Sequence, residues 1–389
     1  MAISEQIIRA SFTFFSTLLD IVSDFANSLE FMGYNIRNVT VNTLFEASKA
    51  LIKSDKLTKD FKFEAEHYNH PETWGRIGIF IIFLPGIITL PPFLVVSIKK
   101  KKYLMAVLVS LFLLMYPITF IIVSFASLVQ SVRGKDAFLP TTETMVGAEV
   151  FFEGFWQMVL QVFSLIYGYH VTSVQKFSIA ASFILLAKAS MEFDILMIKK
   201  KLTCKESMIH ATKILPCYAT TIIFRVISFS LTIAFLREWS AIPIGVLYIE
   251  LVVISYWRYR GVKDKAHFFE AVYMLSLCNL AVLNTYNLGE QDFEENDKPD
   301  ENRCRRFIKL SSIITLIHHC LVLSTIMALA WYHPGYLQQD QFQELIPIPD
   351  KTDFNYIFGS TIVIGLFSTV LSLHLANQIL HVEVGDLEL

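Results

Sequence analysis

Hydrophobic residues recur along this chain in long runs, and polar residues gather in the connections between them. A helix needs about 20 apolar residues to cross a bilayer, and most of the runs are near or above that length. We predict ten apolar segments, at about 7–33, 74–98, 103–130, 144–169, 176–198, 208–236, 241–257, 266–288, 307–332 and 354–381. Five precede Lys199 and five follow it, so we expect two membrane halves, 1–200 and 201–389.

Composition supports a polytopic helical membrane protein. Of the 389 residues, 54% are hydrophobic and only 17% are charged, below the ~25% that is usual in soluble domains. The longest polar stretch, 35–73, leaves no room for a soluble domain of useful size, and its apolar spacing predicts an amphipathic surface helix. We expect no cleavable signal peptide, because the first apolar run contains Asp20 and Asp24 and lacks a clear cleavage site.

Basic clusters orient the segments, because short loops rich in Lys and Arg stay in the cytoplasm. The clusters are Lys99 to Lys102; Lys199 to Lys201 with Lys205; Arg258, Arg260, Lys263 and Lys265; and Arg303, Arg305 and Arg306. Three apolar segments lie between the first two clusters and one between the last two. An odd number of full crossings would place successive clusters on opposite sides, so one segment in each interval must enter and leave on the same side.

The segments 103–130 and 266–288 are the predicted re-entrant ones. Pro117 lies within the first and can break its helix, and Asn279, Asn284 and Asn287 make the second unusually polar. The predicted architecture is all-α, with eight transmembrane helices and two re-entrant half-helices in two related halves. Both termini are then cytoplasmic.

The side on which the loop 35–73 lies is left open by the sequence. The sequence Asn38-Val39-Thr40 is a candidate glycosylation site, which fits an outside location. Five lysines argue against that location: Lys49, Lys53, Lys56, Lys59 and Lys62. Long loops can translocate despite such charge.

Ionisable side chains inside the apolar segments are the candidate functional residues. They are Asp20, Asp24, Glu149, Glu153, Lys188, Glu192, Arg225 and Glu250. A charge at the bilayer centre costs roughly 2.5–3.5 kcal/mol on insertion scales, so such groups turn toward one another or toward water. Gln157 and Gln161 follow the glutamates and are expected to hydrogen-bond between helices.

Spacing places several of these residues on shared helix faces. Asp20 and Asp24, Glu149 and Glu153, and Lys188 and Glu192 are each four positions apart. Carboxylates outnumber the cations Lys188 and Arg225, so we expect either a hydrated groove or partial protonation, and we favour a functional polar path. The alternative is that these groups form buried ion pairs that fix helix register without transporting anything.

Other chemistry is weakly signalled. His318, His319 and His374 lie in apolar segments and are expected to be polar packing residues. The five cysteines have no metal-ligand spacing. There is no Ser-His-Asp arrangement, Gly-rich phosphate loop or metal motif, so we expect neither an enzyme nor a cofactor, and no ATP site.

Four stretches resemble the XK-related membrane proteins. They are LLDIVSDFANSLEFMG, ETWGRIGIFIIFLPGIITLPPFLV, AEVFFEGFWQMVLQVFSLIYG and IIFRVISFSLTIAFL. The third is similar to that family's Glu-x-x-x-Glu-x-x-Pro-Gln-Leu-x-Leu-Gln motif, with Trp156 in place of the proline. The fourth bears Arg225, which would be the family's membrane arginine. After about residue 290 only the hydropathy is similar.

The resemblance implies a fold of eight spans with two half-membrane helices and, for some members, energy-independent phospholipid scrambling that exposes phosphatidylserine at the plasma membrane in apoptosis. It implies phospholipids as partners, with a single-span accessory subunit, a lipid-transfer protein or a second copy as further candidates, and no nucleic acid. Several members are activated by caspase cleavage, but Asp300 and Asp386 are poor candidate sites here.

Two rival functions stay open. Some relatives act as non-scrambling scaffolds through partner proteins, and in that case the charges only fix helix packing. A proton-coupled transporter would use the carboxylate pairs as a relay and would take up a soluble substrate along a pH gradient.

Overall fold

The computed structural model describes residues 3–31, 71–99, 101, 103–134, 150–166, 179–188, 190, 204–260, 265–281, 301–332 and 351–378. These residues form helices and short turns, and no strand occurs among them. The all-helical class is therefore confirmed for the described part of the chain. The amphipathic loop 35–73 lies outside it, apart from the residues that open the second helix.

The described helices are named in chain order. They are α1 (Ile3–Phe31), α2 (Pro71–Lys99), α3 (Tyr103–Leu114), α4 (Tyr116–Val132), a π turn (Val150–Gly154) that leads into α5 (Phe155–Ile166), α6 (Ile179–Lys188), α7 (Cys204–Leu236), a 3-10 turn (Arg237–Ser240), α8 (Ala241–Tyr259), α9 (Lys265–Ala281), α10 (Glu301–Tyr332) and α11 (Lys351–Gln378).

Four described stretches are long and apolar enough to cross a membrane: Ile214–Leu236 of α7, Ala241–Tyr259 of α8, Arg306–Leu329 of α10 and Tyr356–His374 of α11. Shorter apolar stretches lie in α2, α4, α5 and α6. In α7, 61% of the span is buried, against 28–33% in the other three. The chain is thus a membrane-embedded helical protein, in which the most buried span, that of α7, packs against α5, α10 and α11.

Helix α7 packs tightly against α11 through small and hydroxyl-bearing residues. Thr221 Oγ1 lies 2.8 Å from Ser368 Oγ, and Cys217 Sγ lies 3.3 Å from Ser372 Oγ. At the next level Gly365 has no side chain, and a Cβ there would collide with the ring of Phe224. Small residues let backbones approach closely where lipid provides no hydrophobic driving force between helices, so these residues allow α7 and α11 to pack directly against each other.

The apolar segment 103–130 is two helices joined by a bend. Met115, with φ −98° and ψ 34°, separates α3 from α4, and Pro117 lies in the first turn of α4. Proline removes a backbone donor and fixes φ, so it is tolerated at a helix start and disfavoured within one. Thr119 Oγ1 donates to the Phe112 carbonyl across the bend at 2.8 Å.

Contacts with α1 and α2 show which way each arm of the bend runs. At its closed end, Leu113 and Tyr116 lie against Gly86, near the middle of α2. Along α1, Ile21 packs in one cluster with Tyr116 and Phe120, whereas Phe14, seven residues earlier, contacts Phe125 with ring centroids 5.7 Å apart. Helix α4 therefore runs antiparallel to α1, back toward the end of the bundle at which α2 ends and α3 begins.

Helices α9 and α10 start at the same end of the bundle. Tyr256 of α8 contacts Phe268 near the start of α9, with ring centroids 5.3 Å apart. The guanidinium of Arg258, one residue from the end of α8, lies 4.7 Å from the ring centre of Phe307, near the start of α10. Both α9 and α10 thus begin where α8 ends.

Candidate functional site

Three helices meet at a polar junction in the N-terminal part of the molecule. The side-chain amide of Gln157, in α5, donates to the carbonyl of Gly78, in α2, at 2.9 Å. Gly78 is also in direct contact with the hydroxyl of Ser28, in α1. A Cβ at residue 78 would collide with that hydroxyl, so the glycine is what lets α1 approach α2 at this point.

Asp24 and Glu153 are each one helical turn from this junction. Ser28 donates to the Asp24 backbone carbonyl at 2.8 Å, and Glu153 precedes Gln157 by four residues. Asp24 is 0% exposed, and Glu153, Gln157 and Gln161 are each 1% exposed. Each of these four buried side chains lies in this contact or about one helical turn from it, and together they are here called the acidic junction.

The backbone is irregular at Glu153. This residue lies in the π turn Val150–Gly154 that precedes α5, and such turns are frequent at functional sites. The π turn packs against α2 and α9, while α5 packs against α7. Glu149 lies outside the described residues, so the shared helix face of Glu149 and Glu153 stays a prediction.

A second cluster of polar residues lies in the C-terminal part of the molecule. Arg225 is at the midpoint of the α7 span and is 1% exposed. Its Nη2 lies 3.5 Å from Thr315 Oγ1, in α10. His319, one turn further along α10, is close enough to Arg225 for the two to interact electrostatically. Its ring meets the rings of Phe224 and Phe229 edge to face, with centroid distances of 5.3 and 5.0 Å.

Glu250 extends this group toward the surface of the bundle. It lies at the midpoint of the α8 span, and its Oε2 is 3.2 Å from Nδ1 of His318, near the midpoint of the α10 span. The rings of His318 and His319 are adjacent, with centroids 5.9 Å apart. Arg225, His319, His318 and Glu250 thus follow one another from the buried centre of α7 to α8, where the Glu250 side chain is 38% exposed. We call them the mid-membrane row.

The remaining predicted residues are placed as follows. Lys188 is half-buried at the end of α6. Asp20 lies in α1, but its side chain is outside the described residues, as are Asn38, Glu149 and Glu192. His374, at the end of the α11 span, is exposed. Within the described part of the chain, no three His, Cys, Asp or Glu side chains are grouped to hold a metal ion.

Several residues of these two clusters could not be identified from the sequence. Ser28, Gly78 and Thr315 are uncharged and do not stand out in an apolar segment. His318 and His319 were expected to be polar packing residues. Arg258 was expected in a basic loop, but it is 2% exposed and lies between the rings of Tyr259 and Phe307. The sequence offered one sign of this burial, because Arg258 has the aromatic neighbours Trp257 and Tyr259 and guanidinium groups favour aromatic faces.

Coupling between Glu250 and His318 can be measured directly. We expect a double-mutant cycle with Glu250→Ala and His318→Ala to give a stabilising interaction of about 0.5–1.7 kcal/mol, the usual range for polar pairs between membrane helices. Unfolding in detergent, followed at several denaturant concentrations, provides the four free energies. The pair Glu250→Ala with Thr325→Ala, which lie in the same two helices, is the control and should be additive. A zero coupling for Glu250 and His318 would mean that the 3.2 Å contact stabilises nothing.

No protein-family model matches this chain, and no curated protein matches it significantly.

Proposed function

We propose that this chain is an energy-independent phospholipid scramblase of the XK-related type. In this proposal it lies in the plasma membrane with both termini in the cytoplasm and exposes phosphatidylserine on the cell surface. The resemblance of its first two-thirds to that family supports the assignment, and the acidic junction is the observation that carries it.

The acidic junction supports the proposal because its residues are expensive to keep in a membrane. Two carboxylates and two amides, all at most 1% exposed, are gathered where α1, α2 and α5 meet. A purely structural contact between three helices would be less costly with apolar residues, since well-packed apolar replacements of buried ion pairs are often neutral or stabilising. Intramembrane ionisable groups mark substrate and ion pathways as a rule.

Irregular backbone next to the junction supports the proposed topology. The bend at Met115 contacts the middle of α2, and Glu153 lies in a π turn. At membrane depth, irregular backbone is tolerated where it is buried in protein or lines a cavity. The α3–α4 hairpin starts and ends at the same end of the bundle, and α9 and α10 start together. We propose that 103–130 and 266–288 are re-entrant elements and that the chain has eight spans in two related halves.

The proposed mechanism is passive transfer of lipid headgroups along a polar, hydrated path between helices while the acyl tails stay in lipid. Asp20, Asp24, Glu149 and Glu153 line or hydrate this path. Lys188 and Arg225 balance the carboxylates and contact the lipid phosphate, since cationic side chains make charge-assisted hydrogen bonds to phosphate. No energy source is required, because transfer runs down the concentration difference between leaflets.

A scaffold that acts through partner proteins is the second candidate, and one observation favours it. Asp24, Glu153 and Arg225 are almost completely buried, as in a sealed ion-pair network that fixes helix packing. In a scaffold these groups determine stability alone, whereas in a scramblase they also determine the rate of lipid transfer.

Reconstitution tests the proposal. We expect purified protein in liposomes that contain fluorescent phosphatidylserine or phosphatidylcholine to allow dithionite to quench probe from both leaflets. In protein-free liposomes only the outer-leaflet share should be quenched. Parallel samples with and without limited protease treatment detect a closed state that proteolysis opens. Quenching restricted to the outer leaflet in both samples would contradict the proposal and favour the scaffold.

A further inference from the structure

Serine hydroxyls along one face of α4 are buried and have no hydrogen-bond partner among the described residues. Ser124, Ser127 and Ser131 are 1%, 2% and 1% exposed. No described group lies within hydrogen-bonding distance of their Oγ atoms. A buried hydroxyl without a partner costs about 1–3 kcal/mol, so three of them on one helix face need an explanation.

Other buried hydroxyls in this chain show how the cost is normally avoided. Ser28, Thr221, Thr232 and Ser276 each donate to the carbonyl four residues earlier in their own helix, at 2.6–2.8 Å. Ser182, Ser228 and Ser255 also lack a partner in the described part, but each is the only such serine on its helix. Among the described helices, α4 is therefore the one on which serines of this kind form a row.

The row faces α1. The buried face of α4 is made of Tyr116, Pro117, Phe120 and the three serines, and α4 packs along α1. Because Ile21 meets Phe120 and Phe14 meets Phe125 in this antiparallel pair, the same register places the buried Thr17 at the level of Ser124. Ser131 is two residues from Arg133, which is exposed at the end of α4.

We propose that the seam between α1 and α4 holds a file of water molecules along Ser124, Ser127 and Ser131. The serines span about 10 Å of helix, enough for several waters in line. Each water would satisfy the hydroxyl that it contacts, as buried waters usually do for polar groups left without protein partners. Water enters at the exposed end of α4.

The file ends at an apolar plug. Ile21, Tyr116 and Phe120 form one cluster at the inner end of the row, and Phe120 is 0% exposed. Asp24 lies one helical turn beyond Ile21 on the same face of α1. The plug therefore separates the file from the acidic junction. This inference goes beyond the proposed function, since it concerns hydration of one seam and does not require lipid transfer.

Silver-ion accessibility tests the file. In a background that lacks the five native cysteines, Ser124→Cys, Ser127→Cys and Ser131→Cys are introduced singly in native membranes. Thiols left unmodified by silver are then counted by a gel shift with a polymer maleimide. Ile122→Cys, at the same depth but 59% exposed on the outer face of α4, is the matched control. We expect the seam thiols to react about tenfold faster or more, because silver attacks the thiolate, which forms in water and not in lipid.

Two results would overturn the inference. Seam thiols that react as slowly as Ile122→Cys would show a dry seam. Fast reaction at all four positions would show that the outer face of α4 is in water. If the cysteine-free background does not fold, radical footprinting of the wild-type protein replaces it. Phe120, at the inner end of the file, should then be labelled faster than the equally buried Phe155, and equal labelling would contradict the file. Neither measurement reads lipid transfer, so each can fail or succeed independently of the scramblase proposal.

Discussion

Asp24→Asn and Glu153→Gln should each slow lipid transfer in liposomes by about tenfold or more. A tenfold change corresponds to about 1.4 kcal/mol in the barrier, which is less than the roughly 2.5–3.5 kcal/mol that a charge costs at the membrane centre. Both substitutions keep the shape of the side chain and remove the charge. Because both carboxylates belong to the buried acidic junction, we expect the loss of charge to reduce hydration of the proposed headgroup path.

The measurement pairs the dithionite assay with thermal stability of each variant in detergent. Lys265→Gln, which removes an exposed charge at the start of α9, is the control and should leave both quantities unchanged. Slower transfer at unchanged stability supports the polar path. Unchanged transfer with lower stability would contradict it and support the scaffold, in which the carboxylates act on folding alone.

Gly86→Ala should destabilise the protein by about 1–3 kcal/mol, the usual cost of overpacking. A Cβ at this position would collide with the carbonyl oxygen of Leu113 and would lie 2.8 Å from Cβ of Tyr116. The colliding atom belongs to the backbone of the hairpin bend and cannot rotate away, so either α2 or the bend must shift. We expect a lower midpoint of thermal unfolding in detergent.

Gly245→Ala and Gly359→Ala are matched controls, because a Cβ at either position would meet nothing within 4 Å. Both glycines are in helices, where alanine is favoured by up to about 1 kcal/mol, so these variants should be as stable as the wild type or more stable. If Gly86→Ala unfolds at the same temperature as the two controls, the bend at Met115 does not contact α2. The antiparallel arrangement of α4 and α1 then lacks the contact that fixes the position of the bend.

The helical membrane class could be predicted from the sequence because hydropathy alone determines it. Pro117 also predicted the break in 103–130 to within two residues of Met115, where it lies, since proline acts through local sterics at its own position. Arg225 was recognisable as a buried charge because it stands in the middle of an apolar run. Each of these predictions depends on neighbours in sequence.

Contacts between distant residues could not be predicted in the same way. Glu250 and His318 are 68 positions apart, and hydrophobic periodicity does not encode which helix face meets which. In the sequence, the serines of α4 look like ordinary small residues. Only their packing against α1 and the absence of hydrogen-bond partners among the described residues set them apart. The burial of Arg258 depends on Phe307, which belongs to a helix more than forty residues later.

The half-exposed position of Glu250 has a consequence for the membrane itself. Its carboxylate lies at the middle of the α8 span, and beside it on that helix Ile249 and Val253 are exposed to the surroundings. Lipids cannot solvate a carboxylate, and bilayers respond to such groups by local thinning and by admitting water and headgroups. The hydrocarbon layer should therefore be thinner beside α8 than around the rest of the protein, which would shorten the path of a headgroup in the proposed lipid transfer.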